Sequence, residues 1–313
     1  MVSFVVRRVA AGAVLLFVVS ALSYLLLSVP DTDVGRQILG SGAPAETVAA
    51  KNRELGLDRP APVQYADWLA HAVRGDFGTS WFTGENVVRA IATRLPVTVS
   101  LMVGVTLVTA VLSLVLGVWA GVRRGAADRL VQVLGVLGYA LPGFLVTLVI
   151  VVVFAVRLGW FPAIGYIGLT ESVPGWLSTI TLPVASLSVA AIAGVSQQVR
   201  GAVIDVLRQD YVRTLRARGL PPSRILFRHV LRNASAPALT VLGMQFVGLL
   251  GGAVIVEQIF GLPGIGAMTV TYTTRGDIPV IMALVMVAVV GVVAVNLAVD
   301  LLVGWLNPKA RTA

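Results

Sequence analysis

The sequence predicts an all-α membrane protein with six spanning helices, on three observations: an excess of apolar residues, six separate apolar runs, and a lopsided placement of basic residues. Of its 313 residues, 57% are hydrophobic and 12% are charged, where a soluble domain carries about 25% charged residues. Mean hydropathy is +0.89. A chain this apolar lacks the polar surface to cover its own core, and a bilayer is the natural solvent for the excess. There is no cysteine, which excludes disulfides, thiolate metal sites and a cysteine nucleophile. The two histidines, His71 and His229, lie far apart without ligand spacing.

A span needs roughly 20 mostly apolar residues. The first runs from about Val9 to Val29 behind Arg7 and Arg8. Its apolar run is longer than the core of a cleaved leader, and Ser28-Val29-Pro30 is a poor cleavage site, so it reads as an uncleaved signal-anchor. The second runs from Val97 to Val122 and the third from Val131 to Val156. The fourth, Ile180 to Val199, is the least apolar, with Ser186, Ser188, Ser196, Gln197 and Gln198 as candidates to line a wet route, or, for Gln197 and Gln198, to sit at the cytoplasmic interface. The fifth starts at Pro237 and ends near Val256, and the sixth covers Pro279 to Leu306.

Basic residues set the sidedness of such a chain. The N-terminus, 123–130, 200–236 and the C-terminus carry 15 of the 24 Lys and Arg, with Asp128, Asp205 and Asp210 as their only acids. The remaining connections carry nine basic and eleven acidic residues. Six spans place both termini on one side, and the charge split puts that side in the cytoplasm. A positive cytoplasmic face then accounts for the net charge of +9 without nucleic acid. The chain divides into 1–29 (first span), an extracytoplasmic loop at 30–96, and a five-span core at 97–313 that includes a cytoplasmic segment at 200–236. Within the outer loop Tyr65, Trp68, Leu69 and Ala72 fall at helical spacing, predicting a short amphipathic helix on the membrane or on the protein.

The cytoplasmic segment has eight arginines. Acids near the start of DVLRQDYVRTLRARG, arginines near its end and Gly219 at a C-cap position favour a helix. Pro221 and Pro222 stop it, and Ser223 stands ready to cap a second helix, SRILFRHVLRN. Arg224, Arg228 and Arg232 then form one charged stripe. Two readings stand: a solvated basic loop facing phospholipid, or a rigid helical knob that receives force from a cytoplasmic partner. The Gly219–Pro221–Pro222 break favours the knob, because lipid attraction does not require it.

The segment Asp210-Tyr211-Val212-Arg213-Thr214-Leu215-Arg216-Ala217-Arg218-Gly219-Leu220, followed by Arg228-His229-Val230-Leu231-Arg232-Asn233-Ala234, resembles the coupling loop of ABC-importer permeases, with the B-type subunit of the dipeptide/oligopeptide/nickel group as the best match. Six further stretches stand in that family's order: LGLDRP from Leu55, GDFGTS from Gly75, LPVT from Leu95, LGWFP from Leu158, VEQIFGLPGIG from Val256 and NLAVDLL from Asn296. Leu215 departs from the family's small residue, and Asn307-Pro308-Lys309 stands where the family has Asp-Pro-Arg. Arg213 occupies the acidic position of the general importer signature, as it does throughout this subgroup.

The resemblance implies a type I importer permease fold with Asp210, Tyr211, Arg213, Thr214, Arg216, Ala217 and Gly219 contacting ATPase subunits. It implies a second homologous permease, two cytoplasmic ATPases that hold ATP and Mg, an extracytoplasmic solute-binding protein, and peptide cargo, with nickel or another small solute as the alternative. The chain itself is expected to bind no cofactor, since it has no GxxxxGK[ST] phosphate loop.

Candidates for the path or its gate are Glu257, Pro263, Gly264, Gly266, Asn296 and Asp300. GLPGIG at 261–266 reads as a re-entrant turn between spans five and six, with non-helical backbone shielded by protein. Asp300 sits inside the sixth span one turn from Asn296. It is either a path residue or an interhelical hydrogen bond worth about 1 kcal/mol. Glu257 is either a structural partner or a functional charge. Gly117/Gly121 and Gly248/Gly252 allow close helix approach, within the chain or, for the second pair, against the partner permease. An intramembrane enzyme would need GxSxG, HExxH or a second spanning acid, and none is present. A secondary transporter would usually show an internal repeat, and none is visible. No catalytic or metal residue is therefore expected.

Overall fold

The computed structural model describes residues 2–28 and 33–306. The departure at Asn307-Pro308-Lys309 and the Val29-Pro30 end of the first span lie outside the described residues. Among those described, every regular element is helical, and the only β pairing is an isolated bridge, Thr79 to Asn86. Five helices are long and apolar enough to cross a membrane, and a bent helix pair reaches that length and hydropathy only when its two arms are taken together. The chain groups into two compact units, Met1–Pro96 with Ala267–Val293, and Val97–Gly266 with Ala294–Ala313.

In the first unit, α1 (Val2–Ser28) is followed by the segment 33–86, part of which packs against it. The expected amphipathic helix is α4 (Ala61–Ala72). It lies on the protein: Ser20 and Tyr65 share a hydroxyl contact at 2.9 Å, and the Tyr24 hydroxyl donates to Gln64 Oε1 at 2.9 Å. The Tyr24 and Tyr65 rings stand 5.6 Å apart, within the range in which aromatic pairs attract. Helices α2 (Val34–Leu39) and α3 (Ala45–Glu54) are joined by Asn52, which donates to Asp33 Oδ1 and accepts from the Gly35 amide.

Helix α5 runs from Val87 to Arg123. It therefore begins nine residues before the expected edge at Pro96, and Pro96 lies inside it. The third span is not one helix. It breaks into α6 (Ala126–Ala140) and α7 (Gly143–Ile150), α7 continuing through a π-helical turn at Val151–Arg157, and the two arms are bent by 101°. Pro142 is the cause: it has no amide to donate and it forces Leu141 into extended backbone, with φ −86 and ψ 125.

The second unit is organised on α8 (Val173–Leu207). Helix α5 packs parallel to it, the contacts advancing together along both helices: a Cβ on Gly104 would meet Val184, Ser113 Oγ donates to Ile192 O at 3.4 Å, and Cβ atoms on Gly117 and Gly121 would meet Val199 and Val203. The Gly117/Gly121 pair thus serves packing within the chain. Gly252 lies against Leu187, while Gly248 has open space. Ser186, Ser188 and Ser196 are buried between helices, and Gln197 donates to Val131 O.

Beyond α8 come α9 (Asp210–Ala217) and α10 (Pro222–Ile225). A separate second arm capped by Ser223 is not what forms. Pro222 takes the first helical position, where its missing amide costs nothing. The helix then continues through a π turn at Leu226–Val230 into α11 (Leu231–Phe260). The fifth span accordingly starts near Pro222, and Pro237 lies within it. Helices α12 (Ile265–Arg275) and α13 (Ile278–Leu306) complete the chain.

Candidate functional site

Two corners, at the two ends of the long helix Pro222–Phe260, gather most of the candidate residues. At the first, α9 stops on Gly219. Gly219 has φ +76, its amide donates to Arg216 O at 2.9 Å, and the Leu220 amide donates to Leu215 O at 3.2 Å. This pair of bonds is the Schellman stop, whose left-handed residue is best glycine. The root of the corner is apolar. Val212 is fully buried, in a cluster with Val203, Val206, Ile225 and Val230, and Tyr211, Leu215 and Leu220 pack against it. Leu215 thus packs inward here. Asn233 Nδ2 donates to the Tyr211 hydroxyl at 2.8 Å and ties α9 to α11.

The outward face of the corner is polar. Asp210, Arg213, Thr214, Arg216, Ala217 and Gly219 are exposed, as are Arg224, Arg228 and Arg232. The Asp210–Arg213 pair, at 3.3 Å, is nearly all in solvent and contributes little. Of the seven residues expected to contact an ATPase, only Tyr211 turns partly inward.

At the second corner α11 stops on Gly261 by the same device. Gly261 has φ +60, its amide donates to Gln258 O at 3.4 Å, and the Leu262 amide donates to Glu257 O at 2.9 Å. Glu257 is fully buried. Thr98 Oγ1 donates to Glu257 Oε1 at 2.6 Å and accepts from the Ile265 amide at 2.8 Å. The carboxylate therefore lies beside the first turn of α12, where the helix dipole favours a negative charge. A Cβ on Gly264 would run into the Glu257 carboxylate, and one on Gly266 would stand 2.8 Å from Val254 Cα. The loop after α7 closes over this corner: the Gly165 amide donates to Phe260 O at 3.0 Å, and Ile164 sits against Gly261.

The structure thus brings together Glu257, Gly264 and Gly266, leaves Pro263 exposed beside them, and adds Thr98. Of the turn expected at 261–266, residues 261–264 have non-helical backbone, while Ile265 and Gly266 already belong to α12. Asn296 and Asp300 belong elsewhere. Asn296 is exposed and Asp300 half-buried. Val299 packs on Gly243, fourteen residues and about 21 Å along α11 from Glu257.

One buried acid escaped the sequence reading. Asp277, in the first unit, is fully buried immediately before α13. Ser80 Oγ donates to its Oδ2 at 2.5 Å, and the Ser80 oxygen accepts from the Thr83 amide at 3.0 Å. Burial pushes the Asp277 carboxyl above its ordinary value, against the lowering pull of Ser80 and of the Trp81, Phe82 and Val280 amides. Ser80 belongs to the GDFGTS stretch, and that was the only available signal.

Comparison with known proteins covers nearly the whole chain. The family described as "binding-protein-dependent transport system inner membrane component" matches residues 113–312, and the N-terminal membrane-component family that accompanies it matches residues 1–102. A probable peptide ABC transporter permease protein of Sinorhizobium fredii is 35% identical over 310 residues, covering 98% of this chain and 99% of the relative. A putative peptide transport system permease protein of Brucella abortus is 36% identical over 312 residues, covering 99% of each. The glutathione transport system permease protein GsiC of Salmonella typhimurium is 34% identical over 312 residues, again 99% of each. An inward-facing structure of the MetNI methionine ABC transporter aligns with TM-score 0.50 at 16% identity, over 67% of this chain and 94% of that one. This last likeness concerns the fold.

Proposed function

This chain belongs to the family of binding-protein-dependent transport system inner membrane components, and from that premise we propose that it is one of two permeases of an ATP-driven importer of di- and oligopeptides. A second, homologous permease completes the path. Two cytoplasmic ATPases, which bind and hydrolyse ATP with Mg, grip the exposed face of α9, and an extracytoplasmic binding protein delivers the cargo. The chain itself carries out no catalysis. It is a multi-pass protein of the cytoplasmic membrane with both termini inside, an orientation supported by the positive charge around α9.

The observation that carries this reading is the Gly219 corner. Its apolar root is packed into the ends of α8 and α11, while its polar face is left open. A force applied to that face is delivered to two spanning helices. The peptide relatives favour linear peptides as cargo. The glutathione relative adds a γ-linked tripeptide to be tested. At the Gly261 corner, Glu257, Gly264 and Gly266 form a clasp at the outer mouth, and its hold on the start of α12 sets the outer gate.

The test is uptake of radiolabelled tri-alanine by cells that lack other peptide importers and express this chain with its neighbouring subunits. Deletion of residues 213–219 is expected to abolish uptake while the chain still inserts in the membrane. Full uptake by the deletion variant would sink the reading. Competition by unlabelled glutathione decides between the two cargo types.

A further inference from the structure

Helix α8 ends at Leu207 and α9 begins at Asp210, so a displacement of the open face of α9 is passed to the end of α8. Arg200 lies two turns before that end. Its guanidinium grips both carboxylate oxygens of Asp128, Nε on Oδ1 and Nη2 on Oδ2, the latter at 2.9 Å. Gln132 Nε2 adds a donor to Asp128 Oδ1 at 3.0 Å. The two side chains are only 22% and 18% exposed, unlike the Asp210–Arg213 pair on α9. A two-pronged guanidinium–carboxylate contact fixes orientation as well as distance.

Asp128 belongs to the first turn of α6, just after the tight Arg124–Gly125 turn, where both residues have positive φ. Less than one turn further, Gln197 Nε2 donates to Val131 O at 3.2 Å. Above that the helices come into close contact, with Gly135 against Gln197, Gly138 against Ala193 and Gly194 against Tyr139. Helix α6 then meets the 101° bend at Pro142. A stiff helix thus connects a polar clasp at one end to a break at the other.

We propose that the Asp128–Arg200 contact is the positioning clasp that makes α6 follow α8, and so carries motion of the coupling corner to the bend at Pro142. The proposal rests on the importer reading above. The clasp stays closed through the transport cycle, and its removal lets α8 move without α6.

The complete importer, reconstituted in proteoliposomes, tests this by the ratio of tri-alanine transported to ATP hydrolysed. In Asp128→Asn that ratio is expected to fall about tenfold, with hydrolysis within about twofold of the parent, because the half-buried guanidinium loses its charged, two-pronged partner. A second variant, D128C/R200C, exploits the absence of any other cysteine in the chain. With a short bis-methanethiosulfonate linker in place it is expected to regain at least about half the parental ratio, and to lose it again when a reductant opens the bridge. An unchanged ratio in Asp128→Asn overturns the proposal, as does a bridge that blocks transport. Loss of hydrolysis together with transport in both unbridged variants also overturns it, since the pair would then only hold the fold. If the parent complex moves neither tri-alanine nor glutathione, the importer reading falls and this proposal with it.

Discussion

Helices α9 and α11 both stop on a glycine with positive φ, at Gly219 and Gly261, and both stops use the same two backbone bonds. What lies around the two stops differs. At Gly219 a Cβ would meet nothing within 4 Å, and the surrounding charges face solvent. At Gly261 the turn closes on a fully buried acid: Glu257 fills the space a side chain at Gly264 would take, and Val254 with Glu257 fills that at Gly266. One helix of 39 residues, Pro222–Phe260, joins the two corners. The same local device therefore serves as an open handle at one end and a filled clasp at the other. The comparison teaches that a glycine stop has no function of its own; the side chains folded against it decide what it can do.

The largest expected effect that tests this contrast is at Gly264. In Gly264→Ala the new methyl meets the Glu257 carboxylate, and overpacking of this kind costs about 1–3 kcal/mol. A lowered unfolding temperature of the detergent-purified protein would register it. Adding Glu257→Ala should relieve part of that strain, so that the double variant is more stable than the sum of the single effects implies. Strict additivity would break the picture of a filled clasp.

A smaller effect is expected at the open handle. Gly219→Ala places a side chain in left-handed backbone with free space around it, a cost of about 1 kcal/mol. Its thermal shift should be smaller than that of Gly264→Ala. An equal or larger shift would mean that the Gly219 corner is as tightly enclosed as the other.

Asp277 sharpens the comparison by a third case, a buried acid immediately before a helix. Its folded-state pKa is raised from an ordinary 3.8 by burial, so the folded chain holds the proton more tightly than the unfolded one. Stability contributed by this group is thus present at low pH and declines as pH rises from 3.8 through the raised value. Amide exchange of 78–87, followed across that range, is expected to quicken with pH beyond the intrinsic rate, and Asp277→Asn should remove the excess. A protection profile identical in both would mean that the carboxyl titrates as if exposed.

Much of this was legible in the chain itself. Six apolar runs, the glycine and proline punctuation at 219–222, and the helical spacing of Tyr65 and Trp68 each depend on residues close in sequence, and local periodicity reports them. Proline was the least reliable local signal. Pro142 broke a span that read as continuous, whereas Pro96 and Pro237 sit within helices that read as beginning there. Proline removes one donor in every case, but in a spanning helix neighbouring groups decide whether the helix tolerates the loss.

The sequence by itself determined the class of the protein, its apolar runs, the basic segment and the glycine stop at Gly219. These follow from composition and from spacings of a few residues, to which hydrophobic burial and backbone sterics respond directly. The tertiary structure alone decided that Thr98 closes on Glu257 across 159 residues, that Ser80 reaches Asp277 across 197, and that Arg200 holds Asp128 across 72. No period encodes such pairs. They arise because a polar group taken out of water must find a partner wherever packing brings one within reach.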